Sequence, residues 1–172
     1  MTGPHTVDDV NGLSRNEFIA TFGDIAEHSA WVAEGAERFR PFSSHSELVD
    51  AFQRSVLSAS PAQQDALILA HPDLAGRAAR AGDLAEESRR EQKGVGLDQL
   101  SEEEFTRFHM MNDTYRQRFG FPFIFAVSGA RKEQILEAFS QRVTGTVHEE
   151  RLTALAQVLR IIRFRLEARV KA

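Results

Sequence analysis

The stretch Ser60-Pro61-Ala62-Gln63-Gln64-Asp65-Ala66-Leu67-Ile68-Leu69-Ala70-His71-Pro72 contains the signals for one complete helix. Ser60 and Gln63 form a capping box, and the proline that follows Ser60 suits the first helical position. Pro72 disfavours the α conformation for the residue before it, so the helix is expected to end at His71. The stretch therefore predicts a short helix between two turns, with an imidazole at its end.

The same kind of start signal occurs at several other places along the chain. Ser14-Arg15-Asn16-Glu17 and Ser101-Glu102-Glu103-Glu104 each precede apolar residues spaced three and four apart, as in an amphipathic helix. Thr146-Val147-His148-Glu149 begins the last helical pattern, which continues through Leu166. Because helix follows helix with short turns, the sequence predicts an all-α fold, a single-domain bundle of about eight helices.

One stretch departs from the helical pattern. Phe121-Pro122-Phe123-Ile124-Phe125-Ala126-Val127 has the composition of a strand, but no second stretch offers it a partner. A strand without a partner cannot form a sheet. We therefore expect an extended buried segment at about 121–127, whose backbone N–H and C=O groups are available to a ligand.

The length of the chain, 172 residues, fits one domain with a sizeable core. Residues 1–12 are polar and contain glycine, so a poorly ordered N-terminus is expected there. The domain is expected to cover residues 13–172, with a loop or a frayed turn at 76–82 that follows the predicted helix end at His71.

Composition restricts the partners of the protein. The net charge of −4 argues against a nucleic-acid or anionic-membrane partner held by a global positive field. No apolar run approaches the roughly 18 residues that a membrane-spanning helix needs, and no basic region followed by an apolar one begins the chain. The absence of cysteine fits a reducing compartment. We therefore predict a cytoplasmic protein without a nucleic-acid or membrane partner.

Several common sites find no support in the sequence. There is no glycine-rich phosphate loop, no Gly-x-Ser-x-Gly elbow and no His-Glu-x-x-His pair. The six histidines have no spacing typical of metal ligands, so no metal site is predicted; they are His5, His28, His45, His71, His109 and His148.

His71 is the candidate for proton transfer, because an imidazole titrates near neutral pH. The predicted helix end would place its side chain at a helix rim, outside the packed stripe of the helix. The alternative is a structural one, in which His71 caps the helix C-terminus and interacts with the helix dipole. Position alone favours this alternative.

Arg165 and Glu91 are the two other candidates. Arg165 falls on the same face of the last predicted helix as Val158 and Ile161, and an arginine there needs an anionic partner. That partner is a bound ligand or, in the alternative, an internal carboxylate; a side chain reaching to solvent is the third possibility. Glu91 either orients an imidazole, accepts hydrogen bonds from a ligand, or is simply solvated.

Five motifs in order along the chain resemble a known family. They are Phe22-Gly23-Asp24-Ile25-Ala26-Glu27-His28-Ser29-Ala30-Trp31-Val32, His71-Pro72-Asp73-Leu74-Ala75-Gly76, Ser88-x-x-Glu91-Gln92 with Gly96-Leu97, Phe119-Gly120-Phe121-Pro122-Phe123-Ile124, and Ile161-Ile162-Arg163-Phe164-Arg165-Leu166. Together they are similar to the 2-oxo-4-hydroxy-4-carboxy-5-ureidoimidazoline (OHCU) decarboxylases, from about Leu13 to Leu166. Ala30 and Val95 depart from that pattern, where proline and alanine are common, and neither belongs to the expected catalytic set.

The resemblance implies an all-α enzyme of urate breakdown that needs no cofactor and forms a homodimer. It would convert OHCU to (S)-allantoin and CO2. By the same resemblance, His71 is the catalytic proton donor, with Glu91 and Arg165 as its active-site partners. The residues implied to contact substrate are Glu91 and Arg165 again, with Pro72, Ser88, Gln92, Phe123, Ile124, Phe125, Ala126 and Val127.

Two alternatives stay open at this point. One is a catalytically inactive helical interaction module of the same fold. The other is an acid–base enzyme of this fold that acts on a related ureido or imidazolinone acid, because pocket shape decides the choice of substrate.

Overall fold

The protein is described here by a computed structural model, which covers residues 4–76, 79 and 81–172. Nine helices lie within these residues, and the only β structure there is an isolated parallel bridge between His5 and Val170. The helices are α1 (Val7–Gly12), α2 (Arg15–Phe22), α3 (Trp31–Glu37), α4 (His45–Leu57), α5 (Pro61–Leu69), α6 (Glu86–Gly94), α7 (Glu102–Phe119), α8 (Lys132–Arg142) and α9 (Val147–Arg169). The predicted all-α class is confirmed.

The helix starts follow the capping signals of the sequence. The Ser60 hydroxyl accepts a hydrogen bond from the Gln63 N–H at 3.2 Å, and the Gln63 side chain bonds back to the Ser60 N–H. Ser14 and Glu17 make the same reciprocal pair before α2. Each capping box satisfies two backbone N–H groups that the first helical turn leaves without partners.

The N-terminus differs from the prediction. Residues 7–12 form helix α1, whereas a poorly ordered segment was expected over residues 1–12. The reason is a further capping box, in which the Thr6 hydroxyl and the Asp9 carboxylate bond to each other's backbone N–H groups. Residues 1–3 lie outside the described residues, as do residues 77, 78 and 80 of the predicted loop at 76–82.

The chain divides into two compact units. The first unit comprises Met1–Ala70 and Leu159–Ala172, and the second comprises His71–Val158. Helix α9 therefore contributes residues 147–158 to the second unit and residues 159–169 to the first. The prediction of one domain over residues 13–172 stays a prediction.

The first unit has an aromatic core. The rings of Phe18, Phe22 and Phe52 lie with centroids 4.9–6.1 Å apart, and all three side chains are fully buried. Helices α3 and α4 approach closely at Gly35, where an added Cβ atom would lie 2.2 Å from the Ser55 hydroxyl oxygen. Glycine is required there because no larger residue fits between the two helices.

The second unit is built around the inner face of α7. Phe108, Asn112, Tyr115 and Phe119 are all buried and lie on one side of the helix at steps of three and four residues. Phe108 and Tyr115 pack with residues of α8 and of the segment at 121–127, and the Phe123 and Phe139 rings stack at 3.7 Å. Gly120, with a φ of +81°, ends α7 in the left-handed conformation.

The segment at 121–127 has no helix or strand, and five of its seven residues are buried. This confirms the predicted extended buried segment. No helix in the described part of the chain combines the length and apolar character needed to cross a membrane.

Candidate functional site

The loop His71-Pro72-Asp73-Leu74-Ala75-Gly76, here called the histidine loop, begins where α5 ends. Helix α5 ends at Leu69 with Ala70 as its C-cap, close to the predicted end. The sequence predicted a side chain at the helix rim, outside the packed stripe of the helix, and the His71 residue is buried there, with 6% of it exposed. The position of the helix end is a local property, whereas burial of the imidazole depends on the residues packed around it.

Two polar contacts join the histidine loop to helix α6. The Oε1 atom of Gln92 accepts a hydrogen bond from the Ala75 N–H at 2.9 Å, and its Nε2 atom donates to the Asp73 carbonyl at 3.4 Å. Gln92 and Ser88 are four residues apart and are the buried residues of this otherwise charged helix. Glu91 is half-buried on the same helix. The structure thus connects Gln92 to the loop that carries His71.

Two further contacts join the loop to helix α7. The Asn112 amide donates to the Leu74 carbonyl at 2.8 Å, and Asn112 is 2% exposed. Four residues later, Arg116 forms an ion pair of 2.8 Å with the Asp73 carboxylate. Side chains of two helices therefore fix three successive residues of the histidine loop.

The segment at 121–127 is anchored through its backbone. The guanidinium of Arg142 donates to the Ile124 carbonyl at 2.6 Å, and the Ala126 N–H donates to the Gln157 side chain at 2.9 Å. Ile124 and Ala126 are among the residues predicted to contact substrate, so part of their backbone capacity is used by the protein itself. These two hydrogen bonds fix the backbone of the segment at Ile124 and Ala126.

A buried polar cluster supports this anchor. The Tyr115 hydroxyl donates to Glu150 at 2.5 Å, and Arg142 donates to the same carboxylate oxygen at 2.8 Å. The Arg142 guanidinium also lies over the Phe123 ring, 4.3 Å from its centroid. Burial and the hydrogen bond to Glu150 raise the pKa of Tyr115 well above its usual value of about 10. Tyr115 is therefore a neutral donor across the physiological range.

Arg165 is buried in the first unit, with 3% of the residue exposed. Its guanidinium donates to the Ile25 carbonyl at 3.1 Å and forms an ion pair of 3.0 Å with the Glu27 carboxylate. Glu27 is therefore the internal carboxylate that was one of the alternatives for the partner of Arg165. The guanidinium is thus held by two groups of the first unit, and the predicted anion-binding role of Arg165 stays a prediction.

The segment that holds Arg165 has a constrained backbone. His28, directly after Glu27, has a φ of +46°, and the Ser29 hydroxyl donates to the Glu27 carbonyl at 2.7 Å. A positive φ is uncommon for residues other than glycine and persists where the surrounding structure fixes it. Glu27 thus reaches Arg165 from a tightly held turn.

Seven polar residues of these anchors were not predicted from the sequence, namely Glu27, Asn112, Tyr115, Arg116, Arg142, Glu150 and Gln157. Two of them carried a readable signal. Asn112 is a polar residue on an otherwise aromatic helix face, and Glu150 precedes Ala154, Val158 and Arg165 on one face of α9. Glu27 lies 138 residues before its partner and carried none.

No group of three or more potential metal ligands lies close together within the described residues. The prediction that the site needs no metal and no cofactor stays a prediction.

A family model described as OHCU decarboxylase matches residues 11–167 of the chain. The chain belongs to the OHCU decarboxylase family. The matched range includes His71, Glu91 and Arg165, together with the segment at 121–127. The resemblance stated from the sequence motifs is thereby confirmed.

Known members of the OHCU decarboxylase family are similar over most of the chain. The 2-oxo-4-hydroxy-4-carboxy-5-ureidoimidazoline decarboxylase of Haloferax volcanii is 42% identical over 95% of this chain and 95% of its own. The uric acid degradation bifunctional protein of Bacillus subtilis is 39% identical over 94% of this chain but only 32% of its own length. The similarity to that bifunctional protein is therefore confined to a part of it.

A solved structure is also similar to this chain. The crystal structure of (S)-allantoin synthase is 32% identical to this chain, with a TM-score of 0.77. The match covers 96% of this chain and 54% of that one. This chain thus shares its fold with about half of that (S)-allantoin synthase.

Proposed function

We propose that this protein is a carboxy-lyase of urate breakdown that decarboxylates OHCU to (S)-allantoin and CO2, without a cofactor. Membership of the OHCU decarboxylase family supports the reaction, and the similarity to an (S)-allantoin synthase supports the product. The observation that carries the proposal is the histidine loop, in which a buried imidazole follows a helix end. The Gln92 and Asn112 side chains hold the adjoining backbone, and Arg116 pairs with the Asp73 carboxylate.

The reaction needs an acid and a site for negative charge. The bond between the carboxyl carbon and the ring breaks, CO2 leaves, and the electron pair stays on the ring, shared with its conjugated oxygen and nitrogen atoms. The imine nitrogen of the ring takes up a proton, the ring hydroxyl loses its proton to become a carbonyl, and a proton is added to the ring carbon that carries the ureido group. Addition from one face gives one enantiomer, so the proton must come from a positioned acid and not from bulk water.

Each predicted site residue has a role in this scheme. His71 is the proton donor, and Arg165 stabilises the developing anion, because preorganised donors aimed at developing charge are effective in buried sites. Glu91 either sets the tautomer of His71 or binds the ureido group. The residues proposed to contact substrate are Pro72, Ser88, Gln92, Phe123, Ile124, Phe125, Ala126 and Val127.

The Glu27–Arg165 ion pair suits this role for Arg165. An isolated guanidinium is costly to bury, and a carboxylate on one side offsets that cost. A paired guanidinium is also fixed in orientation, because two groups of the protein hold it. The pair therefore supports an arginine that is in place before substrate binds.

The experiment uses freshly generated OHCU. CO2 release, loss of OHCU absorbance and the chirality of the allantoin formed are followed with and without the purified protein. We expect the protein to accelerate the reaction over spontaneous decay and to give the (S) enantiomer. We expect His71→Asn to lower kcat by about 10²- to 10⁴-fold, the usual contribution of a general acid.

His148→Asn is the matched control, because His148 is an exposed histidine in the first turn of α9. It should keep the wild-type rate. A wild-type protein that does not accelerate the reaction would favour the inactive interaction module, and turnover of another ureido acid instead would favour the related enzyme. A fully active His71→Asn protein would contradict the assigned donor.

We further propose that the protein is a homodimer and resides in the cytoplasm. The homodimer rests on the family resemblance, and the location agrees with a sequence that contains no cysteine. Sedimentation equilibrium of the purified chain measures the oligomeric state. Fractionation of the source cells, with an antibody to this chain, measures its location. A monomer at micromolar concentration, or recovery outside the cytoplasmic fraction, would contradict them.

A further inference from the structure

Ala75, in the histidine loop, has a backbone conformation that needs support. Its φ of +51° lies in the left-handed region, which residues other than glycine rarely adopt. Such a conformation persists when the surrounding structure determines it, and it is common at functional sites. The Ala75 side chain is buried, and its N–H donates to Gln92.

Gly76 indicates how tightly this loop is folded. A Cβ atom added at Gly76 would lie 3.0 Å from the Cβ of Asp73, so the loop turns back on itself within three residues. Leu74 lies between Asp73 and Gly76 in this turn. Its carbonyl accepts a hydrogen bond from the Asn112 side-chain amide at 2.8 Å. Asn112 therefore bonds to the residue directly before the left-handed position.

The carbonyl oxygen of the Asn112 side chain, Oδ1, is buried without a hydrogen-bond partner among the described residues. A buried acceptor without a partner is unfavourable, and most buried polar atoms in native proteins are paired. An apolar residue of the same size would avoid this cost but would lose the N–H group that holds Leu74.

The position of Asn112 on α7 connects both proposed substrate-binding segments. Asn112 and Arg116 contact the histidine loop, whereas Tyr115, on the same helix, packs its ring against Phe123 of the segment at 121–127. The two sets of contacts arise within two turns of one helix. The helix thus fixes the loop and the segment with respect to a common element.

We propose that Asn112 is a positioning residue for His71. It holds the Leu74 carbonyl, keeps the histidine loop in its left-handed conformation at Ala75, and so sets the direction from which the imidazole delivers its proton. This inference rests on the proposed function, because it assigns His71 as the proton donor.

The variant Asn112→Leu tests the inference. It keeps the size of the side chain, removes the N–H donor, and also removes the unpaired acceptor. We expect the thermal midpoint to change little and kcat to fall about 10- to 100-fold, because small misplacements of reacting groups have effects of this size. We also expect the allantoin to lose part of its (S) excess, since a misplaced donor admits protons from water.

Two further measurements separate positioning from simple loss of structure. Hydrogen exchange at the Ala75 amide should be faster in Asn112→Leu than in wild type, while exchange in the core of α7 stays unchanged. Thr114→Ala is the matched control on the same helix, because Thr114 is exposed and its hydroxyl donates only to the Met110 carbonyl within α7. It should keep the wild-type kcat and (S) excess.

The outcomes are distinguishable from failure of the proposed function. If wild type does not accelerate decarboxylation, the proposed function fails and the inference fails with it. If wild type is active and Asn112→Leu keeps its kcat and (S) excess, the inference alone is overturned. A loss of rate that only follows the folded fraction, with unchanged (S) excess, also overturns it. Should Asn112→Leu not fold, Asn112→Ala replaces it under the same criteria.

Discussion

The Arg165 guanidinium lies 3.0 Å from the Glu27 carboxylate, and neither side chain is more than 3% exposed. Removing one partner of a buried ion pair leaves the other charge buried and uncompensated, at a cost of about 3–5 kcal/mol. We therefore expect Glu27→Ala to lower the free energy of unfolding by this amount, as measured by urea denaturation.

The same helix offers a control for this prediction. Arg163 and Glu167 form an exposed ion pair on α9, with side chains 61% and 41% exposed. Exposed pairs contribute at most about 1 kcal/mol, so Glu167→Ala should have a small effect. Equal losses in the two variants would contradict the argument that burial makes the Glu27–Arg165 pair important.

Gln157 anchors the segment at 121–127 through the Ala126 N–H. Gln157→Leu removes the acceptor and leaves this N–H without its partner, which costs about 1–3 kcal/mol. We expect a lower free energy of unfolding together with a raised KM for OHCU, because the segment is proposed to contact substrate. Gln141→Leu, at an exposed position of α8, is the control and should change neither value. A lower stability with an unchanged KM would remove the segment from the proposed binding site.

Tyr115 gives a pH dependence that can be assigned without ambiguity, because it is the one tyrosine in the sequence. Burial, followed by the hydrogen bond to Glu150, raises its pKa in the folded state. Its contribution to stability is therefore complete below pH of about 10, the unfolded pKa, and decreases as the pH rises through that value towards the folded pKa. The loss amounts to about 1.4 kcal/mol per pH unit.

Two measurements test this assignment. Tyrosinate absorbance should be absent from the folded protein near pH 10 and should appear only at higher pH or on unfolding. Tyr115→Phe should remove this contribution from the alkaline slope of the unfolding free energy. A normal tyrosinate titration in the folded state would show that the Tyr115 hydroxyl is accessible and not held by Glu150.

Gly35 lies where helices α3 and α4 are closest. Gly35→Ala would place a methyl group 2.2 Å from the Ser55 hydroxyl oxygen and 3.0 Å from its Cβ atom. Such overpacking costs about 1–3 kcal/mol, to be measured as a loss in the free energy of unfolding. Gly12→Ala is the control, because an added Cβ atom there meets no atom within 4 Å. Adding Ser55→Gly should recover part of the loss, and no recovery would locate the strain elsewhere.

The sequence predicted best what depends on neighbouring residues. The capping boxes at Ser14 and Ser60 are satisfied within three residues, so the starts of α2 and α5 follow from local hydrogen bonds alone. Helix α1 was missed although Thr6 and Asp9 form the same local pair. In that case residues 1–12 were expected to be poorly ordered because chain termini often are, although the Thr6 and Asp9 capping box was present in the sequence.

The partners of buried polar groups could not be predicted from local pattern. The helical face of Arg165 predicted that it needs an anionic partner, but only the tertiary fold brings in Glu27 from 138 residues away. Burial of His71 likewise depends on the three-dimensional packing of the loop, in which Gln92 and Asn112 hold the neighbouring backbone. Local pattern thus predicts which residues need a partner, and the tertiary fold determines which partner they have.

The left-handed alanine at position 75 has a consequence for how the loop tolerates change. Glycine would adopt this conformation at no steric cost, but it would also give the unfolded chain many more accessible backbone conformations. Alanine limits the number of backbone conformations that the loop can adopt. The hydrogen bonds of Gln92 and Asn112 then stabilise the left-handed conformation, which is unfavourable for alanine. The loop therefore combines one strained residue with few alternative backbone conformations, and the backbone that follows His71 keeps a single shape.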